Sequence, residues 1–237
     1  MAVIAILAAL LLPALAVAKE RARRASCKSS QRQFIQAAQI YANENNQFAP
    51  SGASEHGAED DHTPVISSKT RQALLHYSGS YKVLDCPSLG EKFNRPEGWL
   101  AEENYGYVIG YNYLGGHLHT AWPPFSGITA TWISPVKLTD FNTNVSRSPL
   151  ALLSELNDWS PSYQGGKTFA PHCVNGAVLS GNASNSSGPG GKTSAEAGAA
   201  GGHVGMVDGS VSWTPIKEMK VYRGSQQRGA DGCWAMW

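Results

Sequence analysis

Charge is scarce in this chain: only 16% of its 237 residues are Asp, Glu, Lys or Arg, and the formal net charge is +1. A balance this close to neutral argues against nucleic acid as a partner, because phosphate binding draws on a broad basic surface. Cysteine is equally sparse. The four residues Cys27, Cys86, Cys173 and Cys233 are spaced too widely for a zinc ribbon or a CxxC redox centre. Nucleotide chemistry finds no support either. The segment YQGGKT, with Gly165, Gly166, Lys167 and Thr168, lacks the upstream glycine and the strand-to-helix context of a phosphate loop. No G-x-S-x-G elbow of the lipase kind occurs, and an enzyme is not expected.

Long apolar runs are also absent after the first, MAVIAILAALLLPALAVA at residues 1–18. Its Ala and Leu favour helix, and its length is near the lower end of what crosses about 30 Å of hydrocarbon. Val3, Ile4, Ile6, Leu7, Leu10, Leu11, Leu12, Pro13 and Leu15 are therefore expected to form a membrane anchor with the lipid bilayer as partner. Pro13 removes one amide donor, an irregularity that a membrane helix tolerates. A removed secretory signal is the alternative, because Ala16, Val17 and Ala18 give an A-x-A pattern before Lys19. A buried helix of a larger core is the third reading.

A membrane-proximal basic cluster follows, with Lys19, Arg21, Arg23 and Arg24 opposed only by Glu20. It suits anionic headgroups and, by the positive-inside tendency, the cytoplasmic side if nothing preceded Met1. Ala22, Ala25, Phe34, Ala37, Ala38 and Tyr41 then recur at helical intervals, which predicts one helix over 1–44 whose outer half packs on a head formed by 45–237. With 25 Gly and 13 Pro and only short apolar segments, that head is expected to be rich in antiparallel strands, giving an α+β chain.

Within the head, 52–64 read as a loop, 70–77 as a short helix, 81–84 as a strand and YGYVIGYNYL at 105–114 as strand broken by glycines. HVGMVDGSVSWT at 203–214 predicts a hairpin whose primed two-residue turn is Asp208 and Gly209. Residues 181–202, mostly Gly, Ser, Asn and Ala, are expected to form a flexible loop. The N-x-S/T patterns at Asn144, Asn182 and Asn185 depend on the host for any meaning.

Three groups of residues bear on chemistry. His117 and His119 form an HLH, and His172 precedes Cys173; these side chains bind zinc or copper only if folding unites them. Asp140, Glu155, Asp158 and Asp208 are the carboxylates available for hydrolysis, at separations the sequence does not fix. Calcium is the cofactor that exposed Asp, Asn and backbone oxygens in loops would suit, without an EF-hand pattern. Seven tryptophans make an exported glycan-binding module the rival function. If the head is exported, a disulfide between Cys173 and Cys233 is the first expectation, with Cys27 packing as a small apolar residue of the stem.

The segment AVIAILAALLLPALAVAKERARRASCKSSQRQF, with YANENNQFAPSG, VLDCPS, YGYVIGYNYLGG and GGHVGMVDGSVSW, resembles prepilin-type proteins, particularly the pseudopilin-like group from Verrucomicrobia and Planctomycetes. In that family a basic leader and a G-F-T-L-I-E-like processing site precede the helix, and this chain starts downstream of both. Its end resembles the family's processing-associated domain, whose H-x9-D-G motif is incomplete here: the histidine position falls on Gly198, and His203 is no automatic replacement. The resemblance implies a type IV pilin-like fold and a single-pass inner-membrane protein with its head in the periplasm or outside the cell. It further implies homo- or hetero-assembly with pilin-like subunits into a pilus or type II secretion-related filament. A metal-dependent envelope enzyme is the remaining alternative.

Overall fold

The computed structural model describes residues 2–57, 61–90, 93, 95–100, 105–118, 122, 130–142, 148–160, 167–173, 176–180, 193–226 and 233–237, without the side chains of 2–10, 99, 141, 142, 167 and 180. The chain opens with one helix, α1 (Ala2–Glu44), of 43 residues with Pro13 inside it, about 65 Å of continuous rod. Ala, Leu, Gln, Arg and Lys supply the propensity. A left-handed Asn46 (φ 54°) stops it, and the Gln47 amide returns to the Ala42 carbonyl at 2.8 Å, the Schellman closure that satisfies a last-turn acceptor.

Among the described side chains of α1, full burial is confined to the C-terminal half. Cys27, Gln31, Phe34, Ile35, Ala38 and Ala42 form a fully buried stripe at intervals of three and four, the spacing that puts one helix face on a core. Ala22 and Ala25 are exposed. Apolar spacing points to Ala22 and Ala25, but the residues that meet the head on this stretch are the charged Glu20 and Arg24, with Cys27 behind them. Toward the N-terminus, Leu11, Leu12, Leu15 and Val17 are 66%, 65%, 65% and 53% exposed. Among the described residues no helix is long and apolar enough to cross a membrane. The anchor side chains Val3, Ile4, Ile6, Leu7 and Leu10 lie outside the described residues.

The head continues with β1 (Val65–Ile66) and α2 (Ser68–Ser78), which starts where the Ser67 hydroxyl accepts from the Thr70 amide and ends at left-handed Gly79. Residues 81–84 are a 3-10 turn rather than the expected strand. Val83 and Leu84 are both buried, whereas a strand would send neighbours to opposite faces. A second such turn, Pro87–Leu89, follows Cys86.

The remaining strands are β2 (Trp99–Leu100), β3 (Tyr107–Val108), β4 (Tyr111–Tyr113), β5 (Phe141–Asn142), β6 (Ser148–Pro149), β7 (Ala151–Glu155), β8 (Asp158–Ser160), β9 (Lys167–Ala170), β10 (Val178–Ser180), β11 (Gly201–Met206), β12 (Val211–Pro215), β13 (Val221–Arg223) and β14 (Trp234–Met236). They pair antiparallel throughout, so the α+β expectation holds. One sheet runs β12-β11-β7-β4 and a second β10-β9-β8-β14-β13, with small sheets β1-β3-β2 and β5-β6 beside them. Asn157 sits between β7 and β8, its amide bonded to Glu155 O at 2.8 Å, so the chain leaves the first sheet and enters the second almost without interruption.

The stem lies on the first sheet. Phe34 meets Tyr111 and Tyr113 at ring separations of 6.5 and 5.5 Å. Beside it Ile35 reaches over β11 at Gly205, where an added Cβ would stand 2.6 Å from Ile35 Cδ1. A side chain at 205 would therefore push the helix off the sheet.

The hairpin β11–β12 forms with His203 opposite Trp213, but its turn differs from the expected one. Gly209 is left-handed (φ 89°) and Asp208 is not, while Met206 pairs with Ser210 and the Val207 amide turns to Leu150 O at 3.0 Å. The loop is thus three residues with a bulge at Gly209. Burial of Val207 in the core outweighs the preference for the primed turn.

The expected flexible loop divides. Residues 181–192, with Asn182 and Asn185, lie outside the described residues, as does Asn144. Residues 193–202 are built into the fold: Thr193 and Glu196 cap one another, Ser194 is buried on Phe169 O, and Ala199 bridges Cys173. Small side chains here permit close backbone packing, a use that composition alone does not reveal.

Candidate functional site

The polar members of the stem's buried face mark the site. Cys27 is bonded to Cys86, joining helix and head across a sequence separation of 59 with a Cα–Cα distance of 5.1 Å. The expected Cys173–Cys233 bridge is corrected accordingly: neither is disulfide-bonded. Cys173 follows β9 and Cys233 precedes β14, and β8 runs between those strands. Two strand spacings come to about 9.5 Å, beyond the roughly 7 Å limit for a disulfide. The sequence had no means of ranking Cys27 with Cys86, because their proximity comes from the stem docking on the 87–89 turn.

Around this bond sits a chain of ionisable groups. Glu155, at the end of β7, is fully buried; its Oε1 is 2.7 Å from His203 Nδ1 and its Oε2 3.0 Å from His172 Nε2. The second approach is an ion pair without the alignment of a hydrogen bond. His172 Nδ1 lies 2.8 Å from Glu20 Oε1 on the stem, and the His172 carbonyl accepts from the Ala200 amide at 2.8 Å. Glu20 in turn pairs with Arg24 at 3.0 Å, whose guanidinium covers the Trp213 ring at 3.9 Å. Trp213 also flanks His172 and His203.

Burial alone would raise the Glu155 carboxyl, but the polar contacts and positive charge of His172 and His203 bring it below its usual range. Burial likewise opposes charge on His172, and the two carboxylates, Glu155 before Glu20, outweigh it and raise the imidazole above its usual value. The site therefore places an imidazole between two carboxylates, sealed by a tryptophan and tied to a disulfide.

Other sequence candidates fall elsewhere. His117 is buried with Nδ1 2.9 Å from Asp61 Oδ2 and Nε2 2.9 Å from Tyr113 O, so both nitrogens face oxygen acceptors and it does not join His172. His119 lies outside the described residues. Asp140 caps Lys137 and Asp208 caps Ser210, local roles that separate them from Glu155. Arg24 is committed to the head, whereas Lys19 and Arg21 are exposed and Arg23 half-buried. Of the described tryptophans, Trp122, Trp132 and Trp159 are buried, and Trp237 stacks on Tyr222 at 4.2 Å. The sequence reading assigns Glu20, Gln31 and Trp213 no part in a site; for the two stem residues, a helical count back from Phe34 through Gln31, Cys27 and Arg24 to Glu20 is the signal that could have found them.

Asp158 carries a separate pH effect. Burial pushes its carboxyl up to about 7 against hydrogen bonds from Asn112 and Cys233, and burial pushes Asp85 up to about 8. Between the ordinary carboxylate range and those values, the unfolded chain has released protons that the fold keeps, so stability falls as pH rises through that window. Asp158→Asn is expected to remove about 2.5 kcal/mol of the decline between pH 5 and pH 8. Urea unfolding of both proteins at the two pH values measures it; equal slopes would mean that Asp158 ionises freely in the fold.

No family model, curated protein or solved structure matches this chain.

Proposed function

We propose that this chain is a pilin-like structural subunit, anchored in a membrane by the N-terminal half of α1 and displaying its head outside. The observation that carries the reading is that one helix is buried along a face from Cys27 onward and, among its described side chains, exposed from Leu11 to Lys19. Phe34, Ile35 and Ala38 are buried under the head, whereas Leu11, Leu12 and Leu15 on the same rod are exposed. Three exposed leucines and a valine within about two turns, Leu11 to Val17, need a nonaqueous partner, whether lipid or the equivalent helix of another copy. Pro13 within the helix fits that setting, where neighbouring helices can satisfy the freed carbonyl. The activity makes and breaks no bond: the membrane holds subunits, and packing of their apolar halves assembles them. The inward-facing tryptophans favour this reading over a glycan-binding module.

The test is fractionation of cells expressing the full chain, with N-terminal sequencing of the product. Wild type is expected in the membrane fraction with residues 3–15 retained. Leu11→Arg/Leu12→Arg/Leu15→Arg is expected in the soluble fraction, since each charge costs about 2.5–3.5 kcal/mol in a membrane helix. A soluble wild-type product beginning at Lys19 would refute the anchor.

A further inference from the structure

Four side chains from separate segments converge where the stem meets the head: Cys27 of α1, Cys86 before the 87–89 turn, Glu155 of β7 and His172 after β9. All are buried, and one ligand atom from each lies within 4.8 Å of the others. We propose that, when Cys27 and Cys86 are thiols, these residues form a tetrahedral site for one zinc ion, so that metal and disulfide are alternative ways of closing the same junction.

The donor set decides the metal class. Two thiolates, an imidazole and one carboxylate oxygen suit zinc, whereas calcium and magnesium favour oxygen alone. The calcium expectation therefore gains nothing from this cluster. Spacing agrees: Cys86 Sγ is 3.8 Å from His172 Nε2, close to the ~3.6 Å edge of a tetrahedron built with ordinary zinc–sulfur and zinc–nitrogen bonds.

Each of the two non-sulfur ligands also has an outer partner. Glu20 holds His172 Nδ1 at 2.8 Å, directing Nε2 at the cluster, the carboxylate–histidine–metal arrangement that orients a ligand ring. His203 holds Glu155 Oε1 at 2.7 Å, leaving Oε2, which has no aligned hydrogen bond, as the ligand atom. A structural ion pair needs no sulfur beside it, and a disulfide needs neither histidine nor carboxylate. Their convergence is what the zinc site explains.

Zinc binding releases one proton from each thiol, and the Nε2 proton of His172 when the ring is charged. Conversion from the disulfide uses a dithiol reductant. Two electrons and two protons pass from that dithiol, which becomes a disulfide, to the Cys27–Cys86 bond, which becomes two thiols. In the reverse direction a disulfide oxidant accepts the two electrons, the Cys27–Cys86 bond reforms and zinc leaves.

The experiment uses the full chain carrying Cys173→Ser/Cys233→Ser, so that only the proposed thiols remain, with one portion held in a phosphine reductant and a second oxidised and freed of reductant. Zinc is titrated against a chromophoric chelator, and cobalt(II) serves as the spectroscopic probe. One equivalent of zinc is expected to bind the reduced chain and none the oxidised chain, with a thiolate-to-cobalt charge-transfer band in the former alone. Glu20→Gln, with its fold checked by circular dichroism, is expected to bind zinc about 10- to 100-fold more weakly. Equal zinc affinity in reduced and oxidised chain, or bound cobalt without the thiolate band, would overturn the site. Unchanged affinity in Glu20→Gln would overturn His172 as an oriented ligand. The reduced and oxidised samples are one protein, so that comparison requires no variant of the ligands to fold.

Discussion

Replacing both stem-bridging cysteines, Cys27→Ser/Cys86→Ser, is expected to lower the stability of the head by about 4 kcal/mol, the chain-entropy value for a closed loop of this size. The bond spans a separation of 59 residues, so opening it returns a large set of conformations to the unfolded chain. The loss should also be local. With the bond gone, the stem is held by the stripe from Gln31 to Ala42 and by the Glu20 and Arg24 contacts, and protease cleavage near residues 24–30 should quicken. Guanidinium unfolding monitored by tryptophan fluorescence gives the free-energy difference. In Cys173→Ser/Cys233→Ser the midpoint should move far less, since neither thiol is bonded to another cysteine. If the two double variants unfold at the same midpoint, the disulfide does not form in the protein as expressed.

The second large effect belongs to Glu155. Its carboxylate is shared by His172 and His203, and none of the three has more than slight exposure. Glu155→Ala leaves two imidazoles facing one another across a cavity, His172 with only Glu20 as counter-charge. Loss of one partner from a buried pair costs about 3–5 kcal/mol. Glu155→Gln keeps the shape and one acceptor, and should lose about half as much. Thermal unfolding at pH 7 distinguishes them: the expected order is wild type, Gln, then Ala. An Ala variant as stable as wild type would mean that water enters and solvates the histidines. Such an outcome would sink the account of the pocket as a dry, charge-balanced cluster.

Sequence periodicity located α1, α2 and the β11–β12 hairpin because each is dictated by neighbours within a few residues: helix formers, the Ser67 cap, the Asp208–Gly209 pair. What escaped it depends on distant parts of the chain. The stem face was read through Ala22 and Ala25, since apolar residues are the usual signal, while the head in fact covers Glu20, Arg24 and Cys27 and supplies partners for each. His172 and Glu155 were recognised as chemically capable residues. Nothing local says that a separation of 17 residues and a sheet change bring them together, or that His203 is the third member. Residues 193–202 show the converse error: low hydrophobicity was equated with looseness, but Ser194 and Ala199 pack by being small.

The position of the Cys27–Cys86 bond along the stem has a mechanical meaning. Among the described side chains, Cys27 is the first fully buried one met on travelling down α1 from its N-terminal end. A pull on that end would otherwise peel the helix from the head one turn at a time, since only a few contacts at the leading edge bear the load at any moment. Here the Glu20 and Arg24 contacts meet the load first, and directly behind them the joint is covalent. Tension stops at the sulfur bridge and passes into the 87–89 turn, and Phe34, Ile35 and Ala38 behind it stay unloaded.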